Sequence, residues 1–257
     1  MQVLVGTSGF SYKEWKGTFY PEDLPEAGML RFYAERLPTV EVNNTFYRMP
    51  KRDLLEKWAG EVPEGFTFVL KAPRRISHEK RLAGDVADSV SYLFETAGAL
   101  GAKLGPVFFQ LPPFLKKDVA RLRDFLALLP PGRPVAFEFR HASWFDDEVY
   151  DALRAGGAAL CSADTDESGA EGAPLVPTAG WGYLRLRRAE YTDDDLARWA
   201  ERILGQPWDR AFVFFKHEDA GKGPALAGRL RARLGQGADE GAEARRDGHA
   251  GGTGDRP

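Results

Sequence analysis

The chain reads as an α/β protein of the (β/α)8 TIM-barrel type, irregular at its sixth β/α unit. Three observations lead there. Short apolar runs end abruptly in polar or charged residues, and this happens eight times: LVGTS, VEVNNT, FVLK, VFFQ, AFEFRH, LCSAD, YLRLRR and VFFKH. Segments with helical spacing separate most of these runs, as in a β/α alternation. The length, 257 residues, is ordinary for a single barrel of this kind.

The elements follow in order. Val3–Thr7 is the first strand, followed by a Gly- and aromatic-rich loop and a helix near Gly28–Leu37. Thr39–Asn43 is the second strand and precedes a helix at Arg52–Trp58. Phe66–Lys71 is the third; a basic loop leads to Asp85–Leu100, where Val86, Val90, Leu93, Ala97 and Leu100 share a helical face. Val107–Gln110, Val135–Phe139 and Ala158–Ser162 are strands four to six, with helices at Asp118–Leu129 and Asp146–Ala155 between them. The stretch Glu167–Gly180 is rich in Gly, Ala and Pro and should lack a full helix. Gly182–Leu186 is strand seven. Thr192 caps the next helix, because acidic residues follow it immediately. Phe212–Phe215 and the closing helix Ala225–Leu234 complete one domain, 1–234. From 235 to 257 the chain has almost no apolar anchor and reads as a disordered tail.

Composition narrows the function classes. A hydrophobic fraction of 43% and a net charge of -3 describe a globular protein without a general nucleic-acid coat. No apolar run approaches the roughly 20 residues that span a bilayer, and MQVLVGTSG carries no basic region ahead of its apolar run. A cytoplasmic protein without a membrane partner is expected. Cys161 is the single cysteine and reads as a small buried strand residue.

Side chains alternate across a strand, so parity sorts barrel interior from helix-facing positions. Val40 and Val42 oppose Glu41, Asn43 and Thr45; Phe137 and Phe139 oppose Glu138 and Arg140; Leu184 and Leu186 oppose Tyr183, Arg185 and Arg187. The same reasoning puts Thr7, Lys71, Gln110, Ser162, Asp164 and Lys216 inward. Each strand thus offers a polar inward group near its carboxyl end, where barrels of this type carry their sites. Lysines and arginines outnumber carboxylates there, which favours an anionic ligand gripped by guanidinium forks. Glu138 and Arg140 are the expected ion pair.

His78, His141 and His217 lie just past strand ends and are candidates for proton transfer beside Glu41 or Glu138, with His141 also suited to fixing its loop. No H-x-H or H-x-x-x-H pair is present, so no cofactor is predicted; a divalent metal on Glu41, Glu138 or Asp164 and a histidine is the lesser alternative. Aromatics including Phe10, Tyr12, Trp15, Phe46, Tyr47, Trp144 and Tyr191 cluster at the same end. They serve either as a packed loop cap or as a stacking surface for a base or sugar.

Taken together, the motifs resemble one family. GTSGFSYKEWKGTFYP, VEVNNTFYRMP, FTFVLKAPRRISH, GPVFFQLPPFL, AFEFRHASWF and YLRLRR with a following Tyr occur in the order of the YecE-like family, domain of unknown function 72. The resemblance covers about 3–234. It implies a TIM-like barrel and a site around Glu41, Asn43, Tyr47, Arg48, Lys71, His78, Gln110, Glu138, Arg140, His141 and Trp144. The family's fold has been likened to endonuclease IV barrels, which implies nucleic acid only by analogy. Many members read His-Gly after strand seven and Asn-Asn after strand eight; here the residues are Arg187-Arg188 and Lys216-His217.

The expectation is therefore an enzyme, a hydrolase or isomerase, acting on an anionic, phosphate-bearing small molecule or nucleotide. Arg140, Arg185, Arg187 and Lys71 would clamp the anion. Glu41 or Glu138 would be the base, with His78, His141 or His217 as proton partner. Asn43, Tyr47, Arg48, Gln110, Trp144, Asp164 and Lys216 complete the expected binding set. The rivals are a metal-dependent phosphodiesterase or nuclease and a non-catalytic module that binds a nucleotide or single-stranded nucleic acid.

Overall fold

The structure, a computed structural model, describes residues 1–169 and 174–236. Most of the expected tail, with His249, lies outside the described residues, as does part of the sixth connection. Eight parallel strands close into a barrel in sequence order: β1 (Gln2–Ser8), β2 (Thr39–Val42), β3 (Thr67–Lys71), β4 (Leu104–Gln110), β5 (Val135–Glu138), β6 (Ala159–Asp164), β7 (Trp181–Leu186) and β8 (Arg210–Phe215). Closure comes from β1 against β8, in the register Val3↔Ala211 to Thr7↔Phe215.

Among the described residues seven α-helices pack outside: α1 (Met29–Ala34), α2 (Arg52–Glu61), α3 (Ala87–Ala97), α4 (Val119–Ala127), α5 (Asp147–Ala155), α6 (Asp193–Leu204) and α7 (Lys222–Arg233). Among the described residues β6 and β7 are joined without an α-helix, as the composition of that stretch predicts. The helix starts follow local chemistry. Asp118 and Asp146 cap α4 and α5 by accepting from the backbone N–H groups of Arg121 and Glu148. Thr192 and Asp195 form a reciprocal capping box on α6. The basic loop after β3 contains a π-helical turn, Arg75–Glu79, that the sequence did not announce. Such turns often accompany functional sites.

The core has two layers. Val40, Val42, Leu184, Leu186, Phe137 and Phe139 pack under the helices. Leu4, Val69, Phe108, Cys161, Tyr183, Phe212 and Phe214 fill the barrel interior, with Phe108 and Tyr183 stacked at 5.0 Å. This is the parity expected for β2, β5 and β7, and Cys161 is a buried interior residue. Two strands differ. On β6, Cys161 is interior while Leu160 packs in the helix layer, so Ser162 and Asp164 face outward. On β1, the Thr7 hydroxyl shares a 2.8 Å hydrogen bond with the Tyr33 hydroxyl of α1, and Ser8 takes the inward place. Both strands carry apolar or small residues on each face, so the alternation that marks β2, β5 and β7 is missing there.

Candidate functional site

The upper barrel interior holds a buried network built from five strand ends and the turn after β2. Glu41 of β2 and Glu138 of β5 are joined by Arg185 of β7. Arg185 Nη1 donates to Glu138 Oε2 at 2.7 Å and Nη2 to Glu41 Oε1 at 3.0 Å. Glu41 also accepts from Ser8 Oγ at 2.7 Å, Tyr183 OH at 2.6 Å and Asn43 Nδ2 at 3.2 Å. Glu138 Oε1 accepts from Gln110 Nε2 at 2.7 Å and lies 3.5 Å from Arg187 Nη1. The Arg185 guanidinium sits 4.9 Å above the Phe108 ring, which closes the network from below.

Burial pushes both glutamates toward the neutral form, but Arg185 and the converging donors outweigh it. Each carboxyl is held below the ordinary range, with Arg187 adding to Arg185 at Glu138. Burial likewise disfavours the Arg185 charge, and the two carboxylates reverse that effect. Glu41 and Glu138 are therefore balanced by two arginines, Arg185 between them and Arg187 at the outer side of Glu138. An ion pair between Glu138 and Arg140, expected from the sequence, is replaced by this one; Arg140 lies beyond the strand and is exposed.

Exposure rises toward one edge of the network. Glu41, Glu138 and Arg185 are 0%, 1% and 2% exposed, whereas Gln110 and Lys71 reach 8% and 9%. Lys71 Nζ donates to Gln110 Oε1 at 2.9 Å and lies 4.4 Å above the Phe46 ring. Burial lowers its pKa to about 8, aided by the charges of Arg185 and Lys216 and opposed by Glu41 and Glu138. His78 meets the same Phe46 ring edge-on at 4.9 Å, and its Nδ1 shares a 2.9 Å hydrogen bond with Ser77. Burial and the charges of Lys71, Arg74 and Arg140 lower its pKa, so it is neutral at neutral pH. Lys71, His78, Arg140, Arg187 and Lys216 thus share the barrel mouth.

Other expected site residues lie elsewhere. Trp144 is buried in the helix layer, stacked on Phe139 at 4.5 Å, and its indole N–H donates to the Leu115 carbonyl at 2.7 Å. Asp164 faces outward and accepts from Tyr191 OH at 2.9 Å and Arg188 Nε at 3.1 Å. His217 belongs to that outer cluster: its Nε2 meets the Arg188 carbonyl at 2.6 Å, and its ring packs by Tyr191 and Phe215. Burial leads in lowering its pKa. His141 fixes its own loop, with Nδ1 accepting from Ser143 N at 3.2 Å. Tyr47 and Arg48 are exposed on the turn after β2. Sequence reasoning missed Ser8 and placed Phe46 only among the rim aromatics. It left Tyr183 out of the site although its parity with Arg185 placed it there.

Among the described residues no group of three or more His, Cys, Asp or Glu side chains converges. Arg185 also occupies the space between the two buried carboxylates that a cation would need. A separate cavity of about 380 Å³ opens beside the mouth, lined by Phe10, Tyr12, Asn43, Asn44, Lys57 and Trp58 among others. Gly9, at φ +96°, shapes its wall in a conformation that side chains rarely adopt.

Comparison with known proteins agrees with this architecture. The family model described as "Protein of unknown function DUF72" matches residues 4–248. The chain belongs to the DUF72 family. It is 29% identical over 259 residues to the UPF0759 protein YunF of Bacillus subtilis, covering 85% of this chain and 90% of that protein. It is 31% identical over 117 residues to the UPF0759 protein YecE of Escherichia coli K12, covering 45% of this chain and 43% of YecE. A DUF72 family protein of Thermotoga maritima has a similar crystal structure, with a TM-score of 0.75 at 25% identity over 92% of this chain and 98% of that one. No helix among the described residues of this DUF72 chain is long and apolar enough to cross a membrane.

Proposed function

We propose that the barrel mouth binds a small anionic molecule and that the protein acts on it as an enzyme. One observation carries the reading: Arg185 and Arg187 together balance both buried carboxylates, and Arg140, Lys71 and Lys216 add cations at the mouth that no carboxylate matches within ion-pair distance among the described residues. Arg187, Arg140, Lys71 and Lys216 stand there around the neutral His78. A cluster of cations of this kind attracts a phosphate or carboxylate, and a guanidinium can grip it through two N–H groups. Glu41 and Glu138 position Arg185, Tyr183 and Gln110 in this reading. His78 is the proton carrier nearest the ligand.

Equilibrium binding of inorganic phosphate, phosphate esters and small carboxylates is the test. Saturable binding should weaken by about tenfold or more in Arg140→Ala and Arg187→Ala, as expected for loss of a charged hydrogen bond. No binding across the panel, or binding indifferent to both substitutions, overturns the reading. A second reading, single-stranded nucleic acid at the rim, rests on the exposed aromatics Tyr47 (76%) and Phe114 (65%) beside Arg48 and Arg81. It predicts affinity that falls steeply with salt and is lost in Tyr47→Ala.

A further inference from the structure

We propose that Lys71 is an amine nucleophile that forms an iminium with the carbonyl carbon of a 2-oxo carboxylic acid bound in the barrel mouth. This inference rests on the anion-binding reading above. The decisive feature is a lysine inside the barrel without a counter-ion. Among the described residues no carboxylate lies within the 4.0 Å ion-pair distance of its Nζ, which donates to a neutral amide oxygen, Gln110 Oε1. The nearby carboxylates are taken: Arg185 bridges Glu41 and Glu138, and Gln110 presents its oxygen to Lys71 because its amide nitrogen is committed to Glu138. Arg185 and Lys216 add like charge, and Phe46 covers one side of the ammonium. A desolvated lysine among cations is the environment that liberates a free amine. With a pKa of about 8, roughly a tenth of Lys71 is free amine at neutral pH, against less than roughly a thousandth of an ordinary lysine.

The substrate class follows from the neighbours. The network runs from Lys71 through Gln110 and Glu138 to Arg187, whose side chain is 24% exposed at the open edge. In this proposal the guanidinium takes the carboxylate beside the carbonyl that the amine attacks. The ammonium first gives a proton to the neutral imidazole of His78, which shares the Phe46 ring with it. The Nζ lone pair then attacks the carbonyl carbon, and the C=O electron pair moves to oxygen. That oxygen takes the remaining N–H proton needed to make a neutral carbinolamine. The imidazolium returns its proton to the hydroxyl, water leaves, and the nitrogen lone pair forms C=N⁺. The sum is one ammonium and one carbonyl giving one iminium and one water, with no external oxidant or acid.

The test is reductive trapping of the full chain. The protein is incubated with pyruvate, or with the neutral propanal, in the presence of cyanoborohydride, and adducts are located by peptide mass mapping. Pyruvate should label Lys71 on the order of tenfold or more faster than any exposed lysine, following its larger free-amine fraction. The labelling should disappear in Lys71→Arg and Lys71→Met, with circular dichroism confirming that each variant is folded. It should rise through about pH 8, the groups facing Lys71 being Glu41, Glu138, Arg185, Lys216 and His78. Reversible pyruvate binding without preferential labelling of Lys71 overturns the nucleophile and leaves the anion-binding reading standing. Propanal labelling Lys71 as fast as pyruvate does, unaffected by Arg187→Ala, overturns the 2-oxo acid assignment and the anion-binding reading while the amine chemistry stands.

Discussion

Two arginine–carboxylate clusters sit at the carboxyl end of this barrel, on opposite faces of the same wall. Inside, Arg185 joins Glu41 and Glu138 with almost no solvent contact. Outside, Arg188 holds Asp164 beside Tyr191 and His217, and the Arg188 side chain is 14% exposed. The inner cluster draws on strands from different sides of the barrel, whereas the outer one ties β6 to the turn after β7. One clasps the barrel across its lumen and leaves a cationic edge for a ligand. The other fastens a loop. Two arginines three residues apart at one strand end thus serve two purposes, because an odd step along the strand moves a side chain to the other face.

Removing the central arginine tests the difference most severely. Arg185→Met should destabilise the protein by about 3–5 kcal/mol, because it strands two buried carboxylates. Adding Glu41→Gln and Glu138→Gln should recover most of that loss. Urea unfolding of the single and triple variants checks both. Little loss in the single variant would mean that water reaches the triad.

Acid should discriminate between the clusters in the same assay. Glu41 and Glu138 are held below the ordinary carboxylate range when folded. Their contribution is present above the unfolded carboxylate pKa, near 4.3 for Glu, and is lost as pH falls through the lower folded values. The wild type should lose stability in that acidic window, and the triple variant should lose markedly less.

The outer clasp should matter less. Arg188→Ala is expected to cost about 1–3 kcal/mol, the range for a buried acceptor deprived of a partner. It should leave anion binding unchanged. An equal loss of binding would show that the two clusters are coupled. The smallest stability effects belong to the rim: Arg140→Ala and Lys216→Ala should shift unfolding by no more than about 0.5 kcal/mol while weakening phosphate or carboxylate binding.

Where alternation was clean, the site was legible in the sequence. VEVNN, AFEFR and YLRLRR each oppose apolar and polar residues, and Glu41, Glu138, Arg185 and Arg187 face inward as that pattern requires. LVGTS and LCSAD are apolar or small on both faces, so Thr7, Ser162 and Asp164 were assigned to the wrong side. The Glu138–Arg140 pairing failed for a geometric reason. Same-face neighbours on a strand are separated by two rises, about 6.6 Å, whereas the opposite barrel wall brings Arg185 to 2.7 Å. Trp144 belonged to a motif full of polar residues, and only packing revealed that Phe139 stacks on it.

The sequence by itself determined the barrel, the order of its elements, the parity of its alternating strands and the family. These depend on hydrophobic period, capping chemistry and local motifs, all of which are short-range. Tertiary structure alone decided which charges neutralise one another. Closure of the barrel brings β2, β5 and β7 together across the lumen, and among the described residues this leaves Lys71 buried with no carboxylate at ion-pair distance. Charge pairing in a desolvated interior depends on distances between residues remote in the chain, and no local pattern encodes those distances.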